Sequence, residues 1–256
     1  MKLLDSHAHL DFPQFKEDRA SVLEEMRSQQ VAAVNVGADL RSSRASVELA
    51  RENLHILAAC GVHPHDAKGF SPQVEEELEE LLRAERAVAV GECGLDFYRD
   101  LSPRDVQARV FRSQLRLARR LELPVILHER AAWPEFVRVL SEEGPVGGVV
   151  HAFSGDASAA RQVLDLGLHI GIGGPLTYPK NAALREAVRS IPLERLLVET
   201  DAPYLPPQAF RGKRNDPLKV RLVLSELAGI RRMPPDELAE ITWNNACRLF
   251  TVRPRF

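Results

Sequence analysis

"LLDSHAHLD", residues 3–11, joins an apolar opening to two histidines one residue apart, and its reading decides the fold. Side chains alternate along an extended chain, so His7 and His9 point to one side of a strand, together with Asp5 two residues earlier. Two imidazoles on one side can grip a metal. A buried strand that ends in such groups calls for partners that end the same way.

Seven further short apolar runs suit buried parallel strands: "VAAVNVG" (31–37), "HILAACGVH" (55–63), "AVAVGECG" (87–94), "PVILHE" (124–129), "GGVVHAF" (147–153), "HIGIGG" (169–174) and "RLLVETD" (195–201). With "LLDSHAH" (3–9) they make eight. Between them lie amphipathic, charge-rich stretches with helical spacing, among them 74–85, 104–122, 133–143 and 156–167. In the last of these, Ala160, Val163, Leu164 and Gly167 follow the i, i+3, i+4, i+7 pattern of one buried face. Eight alternations predict an α/β fold, a closed (β/α)8 TIM barrel, with a doubly wound open sheet as the alternative topology. No linker or internal repeat divides the chain, so one domain over 1–256 is expected. The proline-rich 202–217 reads as a long loop over one end of the barrel.

Composition narrows the class. Hydrophobic residues at 45% and charged residues at 27% are ordinary for a globular protein. A net charge of −2 gives no global pull toward a polyanion or an acidic membrane, so any such recognition must be local. Cys60, Cys93 and Cys247 are odd in number and widely spaced, unlike a disulfide framework. With no export signal and no long apolar span, a cytoplasmic protein that does not engage the membrane is expected.

In such a barrel the active site lies at the C-terminal ends of the strands. His7 and His9 end the first predicted strand, Glu92 the fourth, His128 the fifth, His151 the sixth and Asp201 the eighth. These six, scattered through the chain, would meet on one rim as ligands enough for two divalent metals. Imidazole with carboxylate suits zinc, manganese or iron, while magnesium prefers an oxygen-rich shell. His55 and His169 begin their strands and should face the opposite rim. His63 and His65 in "GVHPH" face the active rim and read as substrate or supporting contacts.

The motifs "DSHAHLD", "GVHPH", "GECGLDFYR", "LPVILHERA", "HAFSG", "GIGGPLTY", "ETDAPYLPP", "RGKRNDP" and "NNACRLF" occur in that order along nearly the whole chain. In this the sequence resembles the TatD family of metal-dependent deoxyribonucleases, within the amidohydrolase-like barrel enzymes. The resemblance implies the same barrel, with His7, His9 and Asp201 on one metal, His128 and His151 on the other, and Glu92 bridging. Glu129 stands where the family usually has a small residue, and Ala152 where cysteine is common. Neither removes a ligand; Glu129 bears on substrate preference.

The expected activity is hydrolysis of DNA phosphodiester bonds, as a 3′-5′ exonuclease on single strands or 3′ ends. Two divalent ions (Mg, Mn or Zn) would activate water, with Glu92 and Asp201 as catalytic carboxylates and Asp201 as proton acceptor. Arg211, Lys213 and Arg214 of the basic loop are candidate phosphate contacts, with Arg130 beside His128 a weaker candidate. Arg99 is another weaker one, and Tyr98 or Tyr204 could stack on a base. D-aminoacyl-tRNA deacylase, another ester or amide hydrolase, and a metal-stabilised binding module are the alternatives. No protein partner is indicated.

Overall fold

In the computed structural model, which describes all 256 residues, eight parallel strands pair in chain order. They are β1 (Leu3–Ala8), β2 (Val31–Val36), β3 (Ile56–Cys60), β4 (Ala87–Asp96), β5 (Val125–Arg130), β6 (Gly148–Val150), β7 (His169–Ile172) and β8 (Leu196–Val198). The ring closes between its first and last members. The His9 N–H donates to the Ala202 carbonyl at 2.7 Å and the Asp201 N–H to the His7 carbonyl at 2.9 Å. The fold is therefore the expected (β/α)8 barrel.

A helix follows each strand: α1 (Arg19–Ser28), α2 (Leu40–Glu52), α3 (Pro72–Leu82), α4 (Arg104–Leu121), α5 (Trp133–Glu143), α6 (Ala157–Asp165), α7 (Ala182–Ser190) and α8 (Val220–Arg231). Local chemistry starts several of them. Asp39 and Ser42 form a reciprocal capping box on α2, and Asp156 accepts from the N–H groups of Ser158 and Ala159 at the start of α6. No helix is long and apolar enough to cross a membrane. The three cysteines are free and buried.

Two apolar layers result. The larger lies between the strands and the surrounding helices. The smaller fills the barrel with Leu4, Val34, Leu57, Val88, Ile126 and Leu197, and a ninth helix, α9 (Pro235–Leu249), adds Trp243, Ala246 and Cys247 to it. α9 packs on β1 and β8. With one end of the barrel packed in this way, polar side chains can converge at the other.

The strands β6 and β8 stop earlier than their sequence suggests, at Val150 and Val198, because the chain turns there to present site residues. Ala152 and Asp201 have φ of 46° and 57°, a left-handed conformation that cannot continue a ladder. Ala131, after β5, is similar at 56°. Strain of this kind clusters where a surrounding structure holds a side chain in place. β4, by contrast, runs two residues past Gly94, to Asp96.

The helices behind β4 and β5 are joined by Phe111 and Phe136, both fully buried, with ring centroids 5.6 Å apart and 8° between planes. Phe111→Ala is expected to destabilise the protein by about 3 to 5 kcal/mol while leaving the strand order intact, as urea unfolding would measure.

Candidate metal centre

Glu92 occupies the middle of the rim, 3% exposed, and its two oxygens face different partners. Oε2 lies 3.4 Å from His7 Nε2 and 3.7 Å from His9 Nε2. Oε1 lies 2.8 Å from His128 Nδ1 and 2.8 Å from His151 Nε2, with His63 Nε2 at 3.7 Å. Asp201 completes the first group, its Oδ1 3.7 Å from His7 Nε2 and 3.6 Å from His9 Nε2. Residues from five strands and the segments after them thus meet around one carboxylate.

The donor chemistry fits divalent cations. His9 Nδ1 is 2.8 Å from the Val36 carbonyl, which cannot donate, so the proton sits on Nδ1 and a lone pair on Nε2 faces inward. His128 Nε2 is 3.3 Å from Asp96 Oδ2, an acceptor that holds the ring from behind and leaves Nδ1 facing Glu92 and His151. Backing a ligand imidazole with a carbonyl or carboxylate is the usual way to fix its tautomer. Three groups of side chains can each gather about one ion: His7, His9 and Asp201; His7, Glu92 and His151; and His63, Glu92 and His128.

Electrostatics agree with an ionised carboxylate pair. Burial works to raise Glu92, but the imidazoles of His151 and His7 and the His128 hydrogen bond hold it well below the usual carboxylate range. Burial also opposes ionisation of Asp201, and the His9 hydrogen bond with the neighbouring imidazoles again brings it below normal. His63 behaves differently. Burial depresses it well below the ordinary imidazole value, so it is neutral, and its Nδ1 accepts from the His65 N–H at 3.1 Å. Its proton is therefore on Nε2, aimed at the centre as a hydrogen-bond donor rather than as a lone pair, so of the three groups the one with His63 is close in distance but would offer an ion only Glu92 and His128.

Not every expected contact is at the centre. His65 Nε2 lies 2.9 Å from Asp96, beside His128 rather than on Glu92. Arg130 is exposed and lies 4.0 Å over the Tyr98 ring, and Arg211 lies 4.7 Å over Tyr178. Lys213 is exposed, with no side-chain partner. Arg214 is engaged within the protein: it forms a two-pronged pair with Asp18 at 2.6 and 2.7 Å and donates to the Gln14 carbonyl. Asp5 is fully buried and accepts from the N–H groups of His7 and Thr200, tying β1 to β8. His55 and His169 stand at the starts of β3 and β7, on the far side.

The sequence reading passes over two buried carboxylates. Asp96, 1% exposed, accepts from the N–H groups of Tyr98 and Arg99 as well as facing His65 and His128. Glu199, fully buried, accepts from the Ala152 N–H and from Ser6. The signal for both was period two: Asp96 is four residues after Glu92, and Glu199 two before Asp201. Two glutamines of α4 add to this support. Gln114 holds both backbone groups of Val62, at 2.8 and 2.9 Å, and Gln107 holds those of Asp96, at 2.9 and 3.2 Å.

The family model described as TatD related DNase matches residues 4–251. The chain belongs to that family. Among its TatD relatives is a metal-dependent hydrolase, YabD of Bacillus subtilis (strain 168), 41% identical over 98% of this chain and 99% of the relative. Another, from Rahnella sp. (strain Y9602), is named as the 3′-5′ ssDNA/RNA exonuclease TatD and is 38% identical over 96% of this chain and 97% of its own. The crystal structure of YjjV, a TatD homologue from Escherichia coli K12, superposes with a TM-score of 0.92 at 35% identity, covering 98% of both chains. This TatD protein is accordingly a metal-dependent hydrolase.

Proposed function

We propose that this TatD protein hydrolyses phosphodiester bonds of nucleic acid, as a 3′-5′ exonuclease on single-stranded DNA, with two divalent cations. The observation that carries the reading is the division of Glu92: one oxygen toward His7 and His9, the other toward His128 and His151. A carboxylate shared in this way suits a pair of ions close together, one with His7, His9 and Asp201 and the other with His128 and His151. Such ions supply Lewis acidity, making a nucleophile of water near neutral pH and neutralising charge on a phosphoryl group. The names of the curated TatD exonucleases supply the substrate class.

The remaining roles follow from the side chains. Asp201 spends Oδ1 on the two histidines, which leaves Oδ2 to accept a proton from the attacking water. His63 directs its Nε2 proton toward the position of the phosphoryl group and stabilises the negative charge that builds there. Asp96 and the Val36 carbonyl keep His128 and His9 turned inward. Of the basic loop, Arg211 and Lys213 are available for phosphate, whereas Arg214 must first leave Asp18.

Chelation is expected to abolish hydrolysis of single-stranded DNA, and added manganese, magnesium or zinc to restore it; full activity in a demonstrably metal-free sample would refute the reading. Glu92→Gln should lower both metal content and rate, since a neutral amide replaces a shared anion. His63→Ala should separate the two, keeping metal content while kcat falls about 100-fold, the scale of losing one oriented donor. Metal analysis beside single-turnover rates distinguishes them, and loss of metal in the His63 variant would make it a ligand instead.

The loop makes a graded prediction. Arg211→Ala is expected to raise KM for DNA several-fold and to reduce its salt dependence, because a phosphate contact is lost. Arg214→Ala should change KM little and stability by no more than about 1 kcal/mol, as for other exposed ion pairs. Steady-state kinetics at several salt concentrations would check both, and equal effects would show that Arg214 swings to the substrate.

A further inference from the structure

Beside the His151 edge of the centre lies an open cleft of about 490 Å³, between the turn after β5 and the start of α6. Glu129, Trp133, Phe153, Asp156 and Gln162 line it, and His151 itself forms part of its wall. The cleft is therefore continuous with the ligand cluster. Its size is within the range of small-ligand pockets, which run from about 300 to 1,000 Å³.

Its chemistry is selective. No lysine or arginine lines it, while two carboxylates do, so a phosphate group is unwelcome there. The walls are held: the Trp133 indole N–H donates to Gln162 Oε1 at 3.1 Å, and the Ala132 N–H donates to Glu129 Oε1 at 2.7 Å. That fixes Glu129 and leaves its Oε2 with no partner in the protein. The Gln162 amide NH2 is free in the same way. An aromatic surface, one free anionic acceptor and one free amide donor make a setting for a flat heterocycle with a polar edge.

We infer that this cleft receives the base of the terminal nucleoside, packed against Trp133, and that Glu129 reads its edge by accepting a hydrogen bond from an exocyclic amino group. The inference rests on the exonuclease reading above and names the specificity of that site. A carboxylate accepts from the exocyclic amino group of cytosine, adenine or guanine, whereas thymine and uracil offer it only the ring N3–H, set between two carbonyl oxygens that repel an anion. The carboxylates also require that nothing anionic follow the terminal sugar. An end with a free hydroxyl fits, and a terminal phosphate meets Glu129 and Asp156.

The test uses the full-length, metal-loaded protein and single-stranded oligonucleotides that differ only in the 3′-terminal residue (dA, dC, dG or dT), each also made with a 3′-phosphate. The wild type is expected to release dA, dC and dG with a kcat/KM about tenfold above that for dT, the scale of one hydrogen bond to a charged group. A terminal phosphate should slow all four. Glu129→Gln should erase the preference over dT while metal content stays at the wild-type value, and Trp133→Ala should raise KM for every terminal base alike. Equal rates for the four ends in the wild type would overturn the inference and leave the nuclease reading standing. Cleavage of none of them would overturn both. The wild-type comparison decides the matter even if either variant fails to fold.

Discussion

A carboxylate that is removed from water must find compensating charge or hydrogen bonds, because an isolated buried anion costs far more than a folded protein can spare. Glu92 is such a group, and the site is organised around its needs. Five imidazoles surround its two oxygens, and Asp201 shares His7 and His9 on one side. No single helix or hairpin could supply these partners. They come from β1, β5 and the turns after β3, β6 and β8, and only a closed barrel brings those segments to one rim. Register is then tightly constrained, because a slip of one residue in any strand would turn its side chain to the opposite face.

Holding histidines at a charged centre raises a second problem, since an imidazole can rotate or exchange tautomers. Backbone and side-chain acceptors behind the rings resolve it for His9 and His128, through Val36 and Asp96. Asp96 is itself tied to the backbone of Tyr98 and Arg99 and braced by Gln107. Gln114 does the same for the segment carrying His63. Polar residues on the inner face of α4 thus transmit the rigidity of the outer layer to the centre. Their burial is compensated because every polar atom has a backbone partner.

Much of this was legible in the residues. The eight apolar runs, with polar groups at their ends, point to the barrel and to Glu92, His128, His151 and Asp201 on one rim. The limits are equally physical. Apolar runs mark where strands are buried but not where the chain leaves the ladder, so "GGVVHAF" and "RLLVETD" were read as longer strands than β6 and β8. Asp96 lay beyond the expected end of β4, so its place on the same face as Glu92 was not used. Arg214 shows another limit: its side chain pairs with Asp18, nearly two hundred residues away, a contact that no local reading of the loop reveals. Likewise, the sequence could not tell whether His63 offered a lone pair or a proton, because that depends on the backbone N–H of His65.

The distribution of charge gives the proposed reading a further consequence. The cleft beside His151 carries Glu129 and Asp156, and a second cleft beside Phe12 and Tyr204, of about 700 Å³, carries Asp11, Asp39 and Asp66 against the single cation Arg41. A polyanion approaching this rim meets carboxylates on both flanks. On the proposed reading its attraction would come from cations held at the centre and from a few groups such as Arg211 and Lys213, not from a basic track along the strand. Binding energy is then concentrated at the phosphoryl group being attacked, where charge grows as the reaction proceeds. An interaction that strengthens toward the transition state accelerates the chemistry, whereas uniform attraction along the chain would only tighten substrate and product alike. A nearly neutral protein with acidic flanks is, on these grounds, well suited to cutting a polyanion and letting it go.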